Sequence, residues 1–256
     1  MKLTSEKGII NMKLSFSTLA CPDFEWTDIY SIAKDFHFDG IEIRGLGSDI
    51  FSVKAKPFTD LQLPNTVAKL KSLNLEIPCL STGICLKFKE KAADNEEKLI
   101  EYAKLAQKLG TPYIRILADL EPHPVDEVDD AYIIETLKNL IPIAEKYNVT
   151  LLVETNGVYA DTKRLRKILD SVANRKVAAL WDMHHPYRFM NESPKQTVEN
   201  LGEYIKYVHT KDSISVNGKI EYKLMGEGDM PVLDMLSALK DIGYNGYVSL
   251  EWVKRW

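Results

Sequence analysis

The sequence has 256 residues, of which 45% are hydrophobic, enough to bury a core in one large α/β domain or two small ones. A formal net charge of -4 gives no electrostatic basis for binding nucleic acid, which depends on clustered Lys and Arg. No apolar stretch reaches membrane-spanning length, and the charged start MKLTSEKG lacks the apolar core of a signal peptide, so we expect a cytoplasmic protein that does not bind a membrane.

Strand-like and helix-like stretches alternate along the chain. Eight runs are predicted as strands, at 13–20, 40–45, 75–81, 112–118, 149–155, 177–182, 204–210 and 247–252. Between them, apolar residues recur three or four positions apart, which is typical of amphipathic helices. Several strands, such as VTLLV and VAAL, are apolar nearly throughout, which favours a parallel sheet covered on both faces. Eight strand-and-helix repeats in this length predict a single-domain (β/α)8 TIM barrel.

Both ends of the sequence depart from a simple barrel. A second start-like segment begins at Met12, so we expect an N-terminal arm at 1–11 and the barrel at 12–256. The sequence stops at Trp256, which leaves the eighth predicted strand without its outer helix. That gap would expose apolar surface, so we expect either an additional domain of a longer chain or a second copy in a homo-oligomer to cover it.

Each of the last four predicted strands ends in a side chain that can bind a metal: Glu154, Asp182, His209 and Glu251. The carboxyl ends of parallel barrel strands share one face, so these groups are predicted to meet. Three carboxylates and one imidazole suit Mn²⁺, Mg²⁺ or Co²⁺ and tolerate Zn²⁺, while leaving positions open for substrate oxygens. Each carboxylate alone would sooner cap a helix or pair with a lysine, but the four together favour a metal site.

Such a site suits proton transfer on a small sugar or polyol. A bound ion would polarise a carbonyl and stabilise the enediolate formed when the neighbouring C–H proton leaves. A carboxylate at the metal's edge can then carry the proton between carbons. Glu154 and Glu251 lie on predicted strands separated by two others, so they are expected to approach the substrate from opposite sides as two catalytic acid/base groups.

Three further charged residues are candidates for substrate contacts. Lys211 lies two residues after His209, on the same side of an extended strand, and is either a donor to a substrate oxygen or a solvated loop lysine. Glu42 alternates with isoleucines and is predicted to point into the barrel. A buried carboxylate needs a partner, so Glu42 is either paired, with Arg115 on the fourth strand as the candidate, or functional. The same alternatives apply to Arg115.

From Met12 onward the chain resembles the xylose-isomerase-like superfamily of TIM barrels, in particular its tagatose-epimerase-like and inosose-isomerase-like sugar isomerases and epimerases. The motifs that carry the resemblance are VETN with Glu154, WDMHHP with Asp182, VHTKD with His209, GEGDMP at 226–231, SLEW with Glu251 and DGIEIRG around Glu42. The resemblance implies that the four strand-end residues bind one divalent metal ion and that the two glutamates act as acid and base.

The resemblance also implies a substrate contact at His185, three residues after Asp182, although this histidine could instead pack against Trp181 or Tyr187. One difference concerns substrate recognition. Ketose epimerases often carry an arginine shortly after the metal histidine, whereas this chain has Lys211 and Asp212.

Other functions use the same fold. An inosose-type dehydratase would use the same site, and a non-catalytic barrel domain of a longer protein would use none. The apurinic endonuclease type in this superfamily needs a three-zinc cluster built from more histidines and a basic DNA-binding face. With 5 histidines and an acidic balance, this chain is not expected to be a nuclease.

Overall fold

The structure is a computed structural model that describes residues 3–5, 8–125 and 127–252. Its central sheet has eight parallel strands, β1 to β8: Lys13–Ser17, Gly40–Glu42, Cys79–Cys85, Tyr113–Leu117, Thr150–Glu154, Val177–Asp182, Ile205–Thr210 and Tyr247–Leu250. Neighbours follow the order β2-β1-β8-β7-β6-β5-β4-β3. Parallel bridges from Gly40 to Glu76 and from Ile43 to Leu80 join the two ends of the sheet. The prediction of a TIM barrel is therefore confirmed.

Helices cover the outside of the barrel. Within the described residues there are eight, α1 to α8: Trp26–Asp35, Leu63–Leu73, Ala92–Leu109, Asp130–Lys146, Thr162–Val172, His184–Met190, Pro194–Leu201 and Val232–Asp241. Helix α1 buries Ile29 and Ala33, four residues apart, against the sheet. Gly110 ends α3 in the left-handed conformation at a φ of 73°, as expected for a glycine that closes a helix. None of the helices in the described ranges combines the length and apolar character needed to cross a bilayer.

Alternation along the strands separates two apolar layers. In β6, Ala178 and Leu180 join a small inner cluster, whereas Ala179 and Trp181 join the large core between strands and helices. The inner cluster is completed by residues of four other strands: Cys79, Leu152, Tyr207 and Tyr247. Since successive strand residues face opposite sides, membership of the inner cluster identifies which residues point into the barrel.

The third strand lies later in the chain than predicted. The apolar run at 75–81 was expected to form it, but β3 is Cys79–Cys85. Pro78 has no N–H to donate to the ladder, so regular pairing begins after it. The register with β4 then shifts between Ser81 and Cys85.

Two antiparallel hairpins add to the barrel. One pairs Leu3–Ser5 with Gly8–Ile10, within the expected N-terminal arm. The other pairs Asp212–Val216 with Lys219–Lys223 directly after β7, and we call it the β7 hairpin. The expectation about the segment after β8 concerns 253–256, which lie outside the described residues.

Candidate active site

The two-residue period of the strands places the four predicted ligands inside the barrel. Three of them lie two residues beyond a member of the inner cluster: Glu154 after Leu152, Asp182 after Leu180 and His209 after Tyr207. Glu251 lies four residues beyond Tyr247, so it has the same parity. The strands β5 to β8 are neighbours, so their carboxyl ends lie side by side. The same alternation that packs the inner cluster therefore brings the four polar groups to one point.

The four side chains form a compact, buried cluster. One ligand atom from each of Glu154, Asp182, His209 and Glu251 lies within 4.8 Å of all the others. None of the four residues is more than 4% exposed. Three carboxylates this close together and this far from water require cations or a metal ion to balance them.

His209 is held by a carboxylate on its far side. Its Nε2 lies 2.9 and 3.1 Å from the two carboxylate oxygens of Glu42, and Ser81 Oγ donates to Glu42 Oε1 at 2.6 Å. A carboxylate only accepts, so Nε2 carries the hydrogen and Nδ1 is free to act as a ligand. Nδ1 is buried without a hydrogen-bond partner among the described residues, 3.4 Å from Glu251 Oε1 and 3.7 Å from Glu154 Oε1.

The electrostatic field at His209 favours positive charge. Burial alone would lower the pKa of His209, but the carboxylates of Glu42 and Glu251 outweigh burial and raise that pKa well above its usual value. The position between the carboxylates is thus one where a cation is strongly stabilised. A proton on Nδ1 and a divalent ion would compete for it.

Two basic side chains flank the cluster. Lys211 is 2% exposed, and its Nζ lies 2.5 Å from both Asp182 Oδ2 and Glu251 Oε2. Burial opposes its charge, but these two carboxylates raise the pKa of Lys211, so it is an ammonium ion. Lys211 is therefore a buried residue of the site and not a solvated loop lysine.

Arg115 pairs with a different carboxylate from the one expected. Its Nε lies 2.5 Å from Glu154 Oε2, without the alignment of a hydrogen bond, and its Nη1 donates to the Thr82 carbonyl at 2.8 Å. Arg115 stands opposite Leu152 in the register of β4 with β5, so Glu154 is its diagonal neighbour. Glu42 lies on β2 and is bonded by His209 and Ser81 instead, so the expected pair of Glu42 with Arg115 does not form.

His185 borders the cluster, in the first turn of α6. Its Nδ1 lies 3.0 Å from the Thr155 carbonyl oxygen, so Nδ1 carries the hydrogen, and its Nε2 lies 3.5 Å from Asp182 Oδ2. Burial lowers the pKa of His185, which keeps the ring neutral and leaves Nε2 as an acceptor beside the cluster. Its ring contacts are with His184 and Phe189, not with Trp181 or Tyr187.

Sequence reasoning missed one basic residue near the cluster. Arg44 lies two residues beyond Glu42, and Arg115, Glu251 and Glu154 are close enough to affect its charge. Arg44 lies in the GIEIRG run at 40–45 that was predicted as a strand, two residues after Glu42, so its place in that run was the available signal.

The chain is similar to known proteins over nearly its whole length. The model of the family described as xylose isomerase-like TIM barrel matches residues 30–256. An uncharacterised protein of Methanocaldococcus jannaschii is 22% identical over 269 residues, covering 96% of this chain and 85% of that protein.

Solved structures give the same result for the fold. The crystal structure of the IOLI protein with a bound zinc atom superposes with a TM-score of 0.78 at 19% identity, covering 95% of this chain and 90% of that one. D-psicose 3-epimerase from Clostridium cellulolyticum H10, crystallised with D-tagatose, gives a TM-score of 0.75 at 20% identity, covering 95% and 86%. At these identities the likeness establishes the shared fold.

Proposed function

Because this chain belongs to the family of xylose isomerase-like TIM barrels, we propose that it is a divalent-metal-dependent isomerase or epimerase of a sugar, sugar phosphate or inositol derivative. The observation that carries the proposal is the buried cluster of Glu154, Asp182, His209 and Glu251 at neighbouring strand ends. The likeness to an epimerase crystallised with a ketose supports the reaction class.

The residues of the cluster fit a divalent ion. Glu154, Asp182, His209 and Glu251 would hold it, and the buried, unpartnered Nδ1 of His209 is the nitrogen ligand that such a set needs. Three oxygen donors and one imidazole suit Mn²⁺, Mg²⁺, Co²⁺ or Zn²⁺, and a similar structure contains a zinc atom. When bound, the ion would supply a Lewis acid that polarises the substrate carbonyl and favours the enediolate.

The two glutamates would move the proton. Each turns Oε1 towards His209 and Oε2 towards a basic side chain, Arg115 for Glu154 and Lys211 for Glu251. Despite burial, these basic groups keep the pKa of each glutamate below its usual value, so both start as carboxylates able to accept a proton. One takes the proton from the carbon next to the carbonyl and, now protonated, can return it at the adjacent carbon, which isomerises the substrate. Return from the opposite face, which epimerises the substrate, requires the other glutamate to have first taken a proton from solvent.

Lys211, Arg115 and His185 would hold the substrate. Lys211 Nζ and the guanidinium of Arg115 are donors placed directly beside the acid/base carboxylates. His185 Nε2 offers an acceptor to a substrate hydroxyl on the Asp182 side. Glu42 contacts His209 on the side away from Glu154 and Glu251. We therefore propose that Glu42 positions His209 and does not contact the substrate.

Two alternatives make different predictions. An inosose-type dehydratase would begin with the same proton abstraction and then release water, giving a product with one fewer hydroxyl group. A non-catalytic barrel would not need to bind a divalent ion at these four side chains. This alternative therefore predicts no shift in the unfolding temperature when Mn²⁺ or Zn²⁺ is added.

The proposal is tested by following carbon-bound protons in D₂O. Free and phosphorylated sugars and inositols are incubated with metal-loaded enzyme, and exchange of the proton next to the carbonyl for deuterium is followed by NMR. We expect exchange with at least one substrate class, abolished by EDTA and restored by added metal. Exchange that persists in EDTA, or an exchange-inactive protein that binds no divalent ion, would contradict it.

A further inference from the structure

Arg44 follows β2 in a bend, two residues after Glu42. Glu42, two residues earlier, points inward, since it bonds to His209. The backbone N–H of Arg44 donates to Thr18 Oγ1 at 2.8 Å, which fixes the chain just after β2. The side chain of Arg44 lies close enough to Arg115, Glu251 and Glu154 for each of them to affect its charge, which places it near the cluster.

The guanidinium of Arg44 has no anionic partner. Its Nη1 is buried with no hydrogen-bond partner, and Arg44 forms no ion pair among the described residues. Other arginines near this face are paired: Arg115 with Glu154, and Arg188 with Asp229. An unpaired, partly buried cation is costly, and an anion from outside the chain would offset that cost.

The Arg44 guanidinium lies next to Gly83 of β3. A Cβ added to Gly83 would lie 3.7 Å from Arg44 Nη2, and Gly83 is the one exposed residue of β3. The guanidinium therefore lies beside the exposed backbone of Gly83, near the carboxyl end of β3. Burial and the nearby Arg115 lower the pKa of Arg44, whereas Tyr102, Glu251 and Glu154 raise it.

The charges of the site agree with an anionic ligand. Four carboxylates face three cationic side chains around the cluster: Glu42, Glu154, Asp182 and Glu251 against Arg44, Arg115 and Lys211. Once a divalent ion is added and His209 is neutral, the site carries one excess positive charge. A substrate with one negative charge would balance it, whereas a neutral sugar would leave it uncompensated.

From this arrangement we infer that Arg44 binds an anionic group of the substrate, a phosphate or a carboxylate, so that the natural substrate is an acidic sugar or polyol derivative. The planar guanidinium fork suits either anion. This inference rests on the proposed function, because it concerns the substrate of that enzyme. The binding of an anion can nevertheless be measured without turnover.

Anion binding is measured first. Purified protein is titrated with inorganic phosphate and separately with acetate at fixed ionic strength, and affinity is followed by calorimetry and by the shift in Tm. We expect Arg44→Met to weaken binding of at least one anion about tenfold or more, the loss of a charged hydrogen-bonding partner. Arg44→Lys should bind with intermediate affinity. Arg175→Met, which removes an exposed arginine before β6 at the opposite end of the barrel, should bind like the parent protein.

A structural role for Arg44 predicts a different result. If Arg44 holds the fold together, Arg44→Met will unfold at a lower temperature in anion-free buffer. If Arg44 awaits a ligand, the variant will be as stable as the parent or more stable, because it no longer buries an unpaired charge. Equal anion affinity in the parent, Arg44→Met and Arg44→Lys would overturn the inference.

Exchange assays separate this inference from the proposed function. Neutral sugars, their phosphates and the corresponding sugar acids are compared in the D₂O assay with the parent and Arg44→Met. We expect Arg44→Met to raise the KM for the acidic substrates about tenfold or more relative to any change in the KM for a neutral sugar. Exchange of neutral sugars only, with no effect of Arg44→Met, would refute the role of Arg44 and leave the proposed function standing.

Discussion

At the scale of single residues, the geometry of His209 suits its imidazole to the proposed role of metal ligand. Its two nitrogens face different carboxylates: Nε2 faces Glu42, and Nδ1 faces Glu251 and Glu154. The Glu42 carboxylate fixes the tautomer and the ring orientation and makes Nδ1 more basic. Glu42 is thus expected to act on the metal through His209.

Glu42→Gln should weaken binding of the divalent metal without unfolding the protein. The amide cannot supply negative charge to Nε2, so we expect Mn²⁺ affinity to fall about tenfold or more, within the range known for residues that orient a metal ligand. Calorimetric titration measures this, with the exposed Glu203→Gln as a control for the same chemical change. Unaltered Mn²⁺ affinity in Glu42→Gln would show that Glu42 does not position the ligand.

His209→Ala should lose the metal first among the cluster variants. It removes the one nitrogen ligand, whereas Glu154→Gln and Glu251→Gln keep an oxygen that can still bind the ion. We therefore expect Mn²⁺ binding to be lost in His209→Ala and retained or only weakened in the two glutamine variants. Elemental analysis of dialysed proteins checks this order, and the reverse order would assign His209 another role.

At the scale of elements, the loops above β4 and β5 are locked together by Asp119. Its carboxylate accepts from the N–H groups of Leu120 and Val158 at 2.8 and 3.0 Å. Gly157 lies against it at a φ of 57°, where an added Cβ would lie 2.1 Å from Asp119 Oδ2. This close approach keeps the segment after Glu154 in place.

Gly157→Ala should therefore destabilise the barrel more than an alanine at a comparable backbone position. Gly47 is the matched control, because its φ of 52° imposes the same backbone strain but nothing lies within 4 Å of its added Cβ. We expect Gly47→Ala to cost about 1–2 kcal/mol and Gly157→Ala to cost about 1–3 kcal/mol more, from overpacking. Urea unfolding measures both, and equal losses would refute the steric explanation.

The β7 hairpin is anchored by Asp212. Its carboxylate accepts from four backbone N–H groups, those of Ser213, Gly226, Gly228 and Met230. Burial would raise the pKa of Asp212, but these donors outweigh burial and lower it below the ordinary 3.8. A lowered pKa in the folded state means that Asp212 stabilises the fold above the ordinary carboxyl pKa and stops doing so as pH falls through the folded pKa.

Asp212→Asn should consequently destabilise the protein at neutral pH and much less in acid. We expect the free energy of unfolding to fall by about 1–3 kcal/mol at pH 7, because the amide of Asn places an N–H donor among backbone N–H groups that need an acceptor. The difference between parent and variant should shrink as pH falls below the ordinary carboxyl value of 3.8. Urea unfolding across this range measures it, and a difference independent of pH would contradict the account.

At the scale of the whole molecule, the barrel and most of the cluster could be predicted because they depend on periodicity. The inner residues Leu152, Leu180 and Tyr207 alternate with outer ones up to the strand ends, so the positions of Glu154, Asp182 and His209 follow from the pattern. Contacts across the barrel could not be predicted in this way. Whether Glu42 meets Arg115 or His209 depends on strand tilt and register, which one strand's sequence does not contain.

Other features were missed although the sequence carried a signal. The Asn217-Gly218 turn, with φ of 51° and 76°, is the common two-residue hairpin turn and marks the β7 hairpin. Pro78 marks the delayed start of β3. Helices α6 and α7 both lie between β6 and β7, where a strand-and-helix repeat needs only one helix, and the capping box of Ser193 and Gln196 is the signal that locates α7.

Glu154 and Glu251 are proposed to transfer a carbon-bound proton beside a divalent ion. The most direct test of this proposal is the rate of solvent-deuterium exchange into substrate for the parent, Glu154→Gln and Glu251→Gln, each loaded with the same metal. Loss of a positioned acid/base group predicts rates at least about a hundredfold lower in both variants, with metal still bound. Near-parental exchange in either variant would contradict a mechanism that uses both glutamates.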